Sequence, residues 1–106
     1  MSFVLSEQAI GAGEHRIVVS GELDLAASPA LDRAAARALE EGTRRLEIDL
    51  NETTFIDSTA IRVLLRIHER MRDEGGELVI DCENERVLYI FKVAGLEGTL
   101  PLRRQQ

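Results

Sequence analysis

The sequence predicts an α/β domain in which a mixed sheet of four to five strands carries helices packed mainly on one face. Strand-like and helix-like segments follow one another in the order β-β-α-β-α-β-α. Crossovers through a helix favour parallel neighbours, whereas the first two strands are close enough in sequence for an antiparallel hairpin. Because the chain has 106 residues, 44% of them apolar, a single domain with one compact core over residues 1–106 is expected.

The first strands and the first helix are marked by composition and spacing. Two strands are expected at residues 3–10 and 15–20, because a glycine-rich turn at residues 11–14 separates segments with β-branched residues. The first helix is expected over residues 29–41, where alanine and leucine recur at helical spacing. Ser28 is expected to cap this helix with its hydroxyl, and the proline after it suits the first helical turn.

The next strand and helix show the clearest periodicity in the chain. Leucine and isoleucine alternate with Glu47 and Asp49, which predicts a strand with one dry face and one solvent-exposed face. Helical spacing of apolar residues then starts at Asp57 or Ser58 and continues to the glycine pair at residues 75–76. A long amphipathic helix is therefore expected to follow this strand directly.

The last third of the chain predicts shorter elements. Residues 77–82 read as a strand, and Asn84 is expected to cap a third helix that runs to about residue 94. The closing segment, residues 100–106, can add a last strand at the sheet edge before a polar tail.

Composition and charge exclude several classes of function. Thirteen basic residues against 19 acidic ones give a formal net charge of -6, which disfavours nucleic acid as a partner. No apolar run approaches the roughly 18 residues of a membrane span, and the start of the chain lacks a signal-peptide pattern. We therefore expect a cytoplasmic protein without a membrane partner. Cys82 is the single cysteine, which we interpret as a half-buried structural thiol, and no metal or cofactor is expected.

The candidate catalytic residues do not form a working set. His68 lies ten residues after Ser58 on the same predicted helix, about 15 Å away at 1.5 Å per residue, so it cannot activate that hydroxyl. The sequence contains no nucleophile-elbow or phosphate-binding glycine motif. Asp24, Asp49 and Asp57 lie near predicted strand ends, where ligand sites of α/β domains gather, but acidic residues in loops are usually solvated caps. The chain is not expected to be an enzyme.

The junction Asp57-Ser58-Thr59 allows two compatible interpretations. Asp and Ser side chains commonly cap helices by accepting hydrogen bonds from unpaired backbone N–H groups. A serine exposed at a helix start is also accessible to a kinase, and the helix dipole tolerates a phosphate there. Arg62, one turn further on, could pair with that phosphate. Arg62 and Arg66 could instead meet acidic groups on a partner or remain solvated.

Three segments resemble bacterial anti-sigma factor antagonists of the STAS domain family. Residues 55–65, FIDSTAIRVLL, are similar to the motif Asp-Ser-Ser/Thr-Gly-aliphatic that opens a helix in that family. Residues 18–31 resemble its Gly-Glu-Leu-Asp segment, and residues 87–102 resemble its closing helix and Gly-Leu turn. The resemblance covers nearly the whole chain and implies the same fold that the element order predicts.

The resemblance implies a partner switch without an activity of this chain's own. The unphosphorylated protein would bind an anti-sigma factor that is also a serine kinase and thereby free a sigma factor. Phosphorylation at Ser58 would release the protein, and a phosphatase would restore it, while ATP and the catalytic groups belong to the kinase. The expected partner-binding residues are Asp24, Asp57, Ser58, Thr59, Ala60 and Arg62.

One position departs from the family pattern, and two other functions stay open. Ala60 stands where the family usually has glycine, and its methyl group is expected to crowd a closely approaching kinase loop. The chain could alternatively be a STAS scaffold or accessory subunit of a signalling or transport complex in which the serine is unmodified. Nucleotide binding near Asp24 and Asp57 is disfavoured, because two carboxylates without a phosphate cradle repel phosphates.

Overall fold

The computed structural model describes residues 2–104 and contains the predicted elements in the predicted order. The elements are β1 (Phe3–Gly11), β2 (Glu14–Leu23), α1 (Ser28–Glu40), β3 (Arg45–Ile56), α2 (Ser58–Asp73), β4 (Glu77–Asp81), α3 (Glu85–Val93) and β5 (Leu102–Arg103). β5 confirms the closing edge element, although Gln105 and Gln106 lie outside the described residues.

The sheet has five strands in the order β1-β2-β3-β4-β5. β1 pairs antiparallel with β2 through a turn in which Gly13 has a φ of 72°, and the remaining neighbours are all parallel. The chain thus starts as a hairpin and continues through helical crossovers, as the spacing of strands and helices requires. The predicted mixed sheet is confirmed.

All three helices contribute to one hydrophobic core on one face of the sheet. Ile17, Ile48 and Ile80 are paired across β2, β3 and β4, and none of them is exposed to solvent. The helices cover this face with alanine, leucine and aromatic side chains at helical spacing. The helix residues buried in this core are Leu31, Ala34, Ala35, Ala38, Ala60, Val63, Leu64, Ile67, Met71, Val87 and Phe91.

The opposite face of the sheet carries a network of ion pairs. Arg16 on β2 donates to Asp81 at 2.9 Å and to Asp49 at 2.7 Å, and it also pairs with Glu47. From β5, Arg103 donates to both carboxylate oxygens of Asp81, at 2.6 and 2.9 Å. The side chain of Asp81 has 0% exposure and that of Arg16 has 15%. This face is therefore charged but largely withdrawn from water.

The network corrects the expected character of β3. Glu47 and Asp49 do alternate with the core residues, but their side chains are only 12% and 17% exposed. Arg16, Arg45 and Arg103 pair with Glu47, and Arg16 also pairs with Asp49. Burial alone would raise the pKa of the Asp81 carboxyl, but hydrogen bonds from Arg103 and Arg16 outweigh it and lower that pKa below its usual value. The expected solvent-exposed face is instead a compact electrostatic layer.

Two local expectations were wrong. The N-cap of α1 is Ala27, and the Ser28 hydroxyl does not cap the helix but donates to the carbonyl oxygen of Asp24 at 2.7 Å. Cys82 is fully buried rather than half-buried, and burial raises the pKa of its thiol. No helix within residues 2–104 is long and apolar enough to cross a membrane.

Candidate functional site

The loop after β2 and the start of α2 meet at one edge of the sheet. β2 and β3 run parallel, so Leu23 and Ile56, which are paired at their ends, place the following residues side by side. Asp57 caps α2, since its Oδ1 accepts from the N–H of Ala60 at 3.0 Å. Its Oδ2 accepts from the N–H of Leu25 at 3.0 Å. One carboxylate therefore caps the helix and ties the β2–α1 loop to it.

Asp24 organises that loop from the other side. Its Oδ1 accepts from the N–H groups of Ala26 and Ala27, both at 3.0 Å, and its carbonyl oxygen accepts from Ser28. These bonds form the turn that leads into α1. The structure thus brings Asp24 and Asp57, which are far apart in sequence, to the same short loop, where Asp24 holds the turn and Asp57 holds the N–H of Leu25.

Ser58 takes no part in the capping. It is the first residue of α2, it is exposed, and its hydroxyl forms no hydrogen bond with any other residue of the described chain. Thr59 beside it is half-buried. The two interpretations of the junction are therefore divided between two residues: Asp57 caps the helix, which leaves the Ser58 hydroxyl available to solvent or to another protein.

Ala60 does not belong to the exposed surface. Its side chain has 0% exposure and lies in the hydrophobic core, while its N–H is held by Asp57. The expectation that its methyl group faces an approaching kinase loop is therefore wrong, because the methyl group points away from solvent. A methyl group in place of glycine adds to the core and favours the helix.

Exposed apolar side chains lie around the start of α2. Leu25 is 69% exposed, Phe55 46%, Tyr89 65% and Val93 67%, and together they are four of the six large apolar side chains that are exposed in the described part of the chain. Leu25 follows β2, Phe55 is at the end of β3, and the other two lie on α3. We call these four residues the apolar rim. Tyr89 and Val93 line one groove and Phe55 lines another, and large exposed apolar side chains are typical of contact surfaces between proteins.

A groove lies between α2 and α3 beside Ser58. It encloses about 320 Å³, and its wall includes Asp57 and Ser58 on one side. Apolar side chains form the rest of the lining: Ile56, Ile61, Tyr89, Ile90, Val93 and Ala94. The groove is large enough for one or two apolar side chains of a partner and places them within the same contact surface as the serine hydroxyl.

The α3 contribution was not predicted from the sequence. The predicted apolar side of this helix contains Val87, Leu88 and Phe91, and the structure buries the first and last of these. Tyr89 and Val93 lie on the other side of α3, where a solvated helix would carry polar residues. The spacing of Tyr89 and Val93, i and i+4, is the sequence pattern from which an exposed apolar side of α3 could have been predicted.

The histidine that suggested catalysis is not part of this site. His68 belongs to α2 with Ser58, ten residues further along the helix, and its Nδ1 is buried without a hydrogen-bond partner within residues 2–104. Burial, with a contribution from the charge of Arg72, lowers the pKa of His68. Within residues 2–104 the Ser58 hydroxyl has no hydrogen-bond partner, His68 included.

Removal of the Asp57 carboxylate tests its double role. We expect Asp57→Ala to lower the free energy of unfolding by about 1–2 kcal/mol, because the helix loses its cap and the Leu25 N–H loses its acceptor. Urea unfolding monitored by circular dichroism measures this loss. Asp57→Asn should recover only part of the loss, since its amide oxygen can replace one of the two acceptors while its NH2 group faces the other N–H donor. Equal stability of wild type and Asp57→Ala would contradict the assignment.

The fold and the site together define a class of protein. The described chain is an α/β domain with an exposed serine at the start of a helix, beside a groove lined mainly by apolar side chains, which are features of a binding domain. The family model described as "Mlab, STAS domain" matches residues 7–103. The chain belongs to the STAS domain family.

Known relatives agree with this assignment. The anti-sigma-B factor antagonist of Listeria monocytogenes is 30% identical over 58 residues, which is 55% of this chain and 51% of that protein. The aligned part of the chain thus spans about half the length of the curated relatives it matches. These curated relatives are named as antagonists of anti-sigma factors.

Solved structures share the fold over almost the whole chain. An anti-sigma factor antagonist from Mycobacterium paratuberculosis superposes with a TM-score of 0.84 at 24% identity, covering 95% of this chain and 85% of that one. The anti-sigma factor antagonist SpoIIAA in its unphosphorylated form also gives 0.84, at 16% identity, covering 97% and 89%. At these identities the superpositions establish the fold.

Proposed function

We propose that this protein is an anti-sigma factor antagonist that binds an anti-sigma factor serine kinase and is released by phosphorylation at Ser58. The observation that carries the proposal is the Ser58 hydroxyl, which is exposed, unused by the fold and placed beside the apolar rim. The kinase supplies ATP and the catalytic groups, and a phosphatase returns the protein to its binding form. SpoIIAA, whose fold this chain shares, is known in both an unphosphorylated and a phosphorylated form.

The charge of a phosphate explains how one hydroxyl can control binding. Phosphorylation adds about 1.5 to 2 negative charges at neutral pH. A partner that covers the rim and the groove must remove water from that charge, which costs several kcal/mol when no opposite charge meets it. Since each 1.4 kcal/mol is a factor of ten in affinity, a change of a hundredfold or more is expected.

The remaining residues of the proposed binding site have different functions. Asp24 and Asp57 shape the loop and the helix start through the hydrogen bonds described above, and Leu25 is presented to the partner as a result. Thr59 is half-buried in the first turn of α2, next to Ser58. Arg62 is exposed one turn beyond Ser58. Ala60 is excluded from the contact because it is buried.

The experiment uses purified protein and the anti-sigma factor kinase encoded in the same genome. Incubation with ATP should place a phosphate on Ser58, located by mass spectrometry. Ser58→Ala should bind the kinase within about twofold of wild type, and Ser58→Asp should bind at least tenfold more weakly. Ser6→Asp is the matched control, since Ser6 is an exposed serine on β1.

Two outcomes would contradict the proposal. A phosphate on a residue other than Ser58 would remove the switch from this site. Equal binding of wild type and Ser58→Asp would show that the charge does not control affinity, as expected for a STAS scaffold or accessory subunit whose serine is not modified.

A further inference from the structure

We propose that the outer face of α2 is a docking strip for an acidic segment of the protein partner, and that phosphorylated Ser58 competes with this segment. This inference rests on the proposed function. The strip consists of Arg62, Arg66 and Arg70, which follow Ser58 at steps of four residues on one helix. Residues spaced i and i+4 are neighbours on a helix surface, so the serine and the three arginines form a continuous row.

The arginines of the strip are available to a partner. All three are exposed, and within residues 2–104 neither Arg62 nor Arg70 forms an ion pair within 4.0 Å. Glu69 and Asp73 lie beside the row on the same helix, yet they do not pair with it at that distance. Arg66 contacts Asp32 of α1 at 3.7 Å and is still 53% exposed, so most of its five N–H donors remain free.

The charge of α2 is opposite to that of the rest of the protein. The helix contains four arginines and two acidic residues, whereas the whole chain has a formal net charge of -6. A flat anionic surface such as a membrane would contact the strip but would also be repelled by the negative charge on the rest of the molecule. A narrow acidic segment, in contrast, can follow the helix for the roughly 12 Å between Arg62 and Arg70.

The sign of the phosphate also favours an acidic partner. A phosphate on Ser58 would lie one turn before Arg62, where it can pair with that guanidinium and repel carboxylates on the partner. A basic segment at this place would instead be attracted by the phosphate, and binding would strengthen on phosphorylation. Only with an acidic segment does the strip strengthen binding of the unphosphorylated protein while the phosphate on Ser58 weakens it.

Charge reversal tests the strip on the unphosphorylated protein. Arg62→Glu and Arg70→Glu should each weaken binding to the anti-sigma factor kinase about tenfold, and wild-type binding should weaken as salt rises from 50 to 500 mM. Arg44→Glu is the matched control, because it makes the same change of net charge at an exposed residue in the turn between α1 and β3. If Arg62→Glu binds as tightly as Arg44→Glu, the strip is refuted while the proposed function stands.

A second probe tests the strip without that partner. A peptide of eight glutamates, titrated against labelled protein, should shift backbone amide resonances of residues 62–70, and Arg62→Glu should abolish these shifts. No shift on α2 at millimolar peptide would overturn the inference even if the kinase does not bind at all. Co-sedimentation with phosphatidylglycerol vesicles that depends on Arg62 and Arg70 would assign the strip to a membrane and overturn the choice of a protein partner.

Discussion

Asp81→Ala is expected to lower the free energy of unfolding by about 3–5 kcal/mol, which is a large share of the roughly 5–15 kcal/mol of a typical domain. Asp81 has no exposed surface and accepts hydrogen bonds from Arg16 and Arg103. Its removal takes away the main partner of Arg103 and leaves Arg16, whose side chain is only 15% exposed, with the carboxylates of Glu47 and Asp49. The same change detaches β5 from its main side-chain contact with β4.

Urea unfolding at pH 7 measures this effect, with Glu85→Ala as the control. Glu85 also pairs with an arginine, Arg104 at 3.4 Å, but its side chain is 78% exposed, so its loss should change stability by no more than about 0.5 kcal/mol. Equal losses in the two variants would show that the network on this face adds nothing beyond ordinary surface pairs.

The lowered pKa of Asp81 predicts the pH dependence of the same contribution. Because the folded state holds the carboxylate in its charged form, the unfolded chain takes up a proton first as pH falls. The stabilisation is therefore present above the ordinary carboxyl pKa of 3.8 and is lost progressively below it. The acid-induced loss of stability should be smaller in Asp81→Ala than in wild type.

Gly21→Ala is the second large effect, and it explains the glycine of the Gly-Glu-Leu-Asp segment. Gly21 has a φ of 93°, and a Cβ at this position would lie 2.3 Å from the carbonyl oxygen of Ser2 and 3.1 Å from the Cα of Phe3. Both atoms belong to the backbone that pairs with β2, so neither can move without disturbing β1. We expect the substitution to detach the start of β1.

Gly42→Ala measures the cost of the left-handed backbone conformation without the steric clash that a Cβ would make at Gly21. Gly42 has a φ of 90°, nearly that of Gly21, but a Cβ there would meet no atom within 4 Å. Alanine at this position should cost about 1 kcal/mol for the left-handed conformation alone. Gly21→Ala should cost about 1–3 kcal/mol more, with faster amide exchange in β1. Similar losses in the two variants would contradict the role of the close approach.

Local sequence patterns were sufficient to predict the order of the strands and helices. The alternation through Leu46, Ile48 and Leu50 located the start of β3, which continues six residues further to Ile56. The helical spacing from Ala60 to Met71 located α2 to within two residues at both ends. Such periodicities depend only on which face of an element is buried, so they can be read without knowing what covers that face. The resemblance of residues 55–65, together with residues 18–31 and 87–102, indicated the family whose model matches residues 7–103.

Only the tertiary structure shows that Asp57 caps the helix while the Ser58 hydroxyl stays exposed. The sequence predicted a cap or a modifiable serine at Asp57-Ser58, but the bond from the Leu25 N–H to Asp57 spans 32 positions and could not be read locally. The same limit applies to the apolar rim, whose members come from three elements, and to the pairing of Arg16 with Asp81, which are 65 positions apart. Hydrophobic periodicity records which side of an element faces the core, whereas the contacts that build the site depend on strand order and loop geometry, which no local pattern contains.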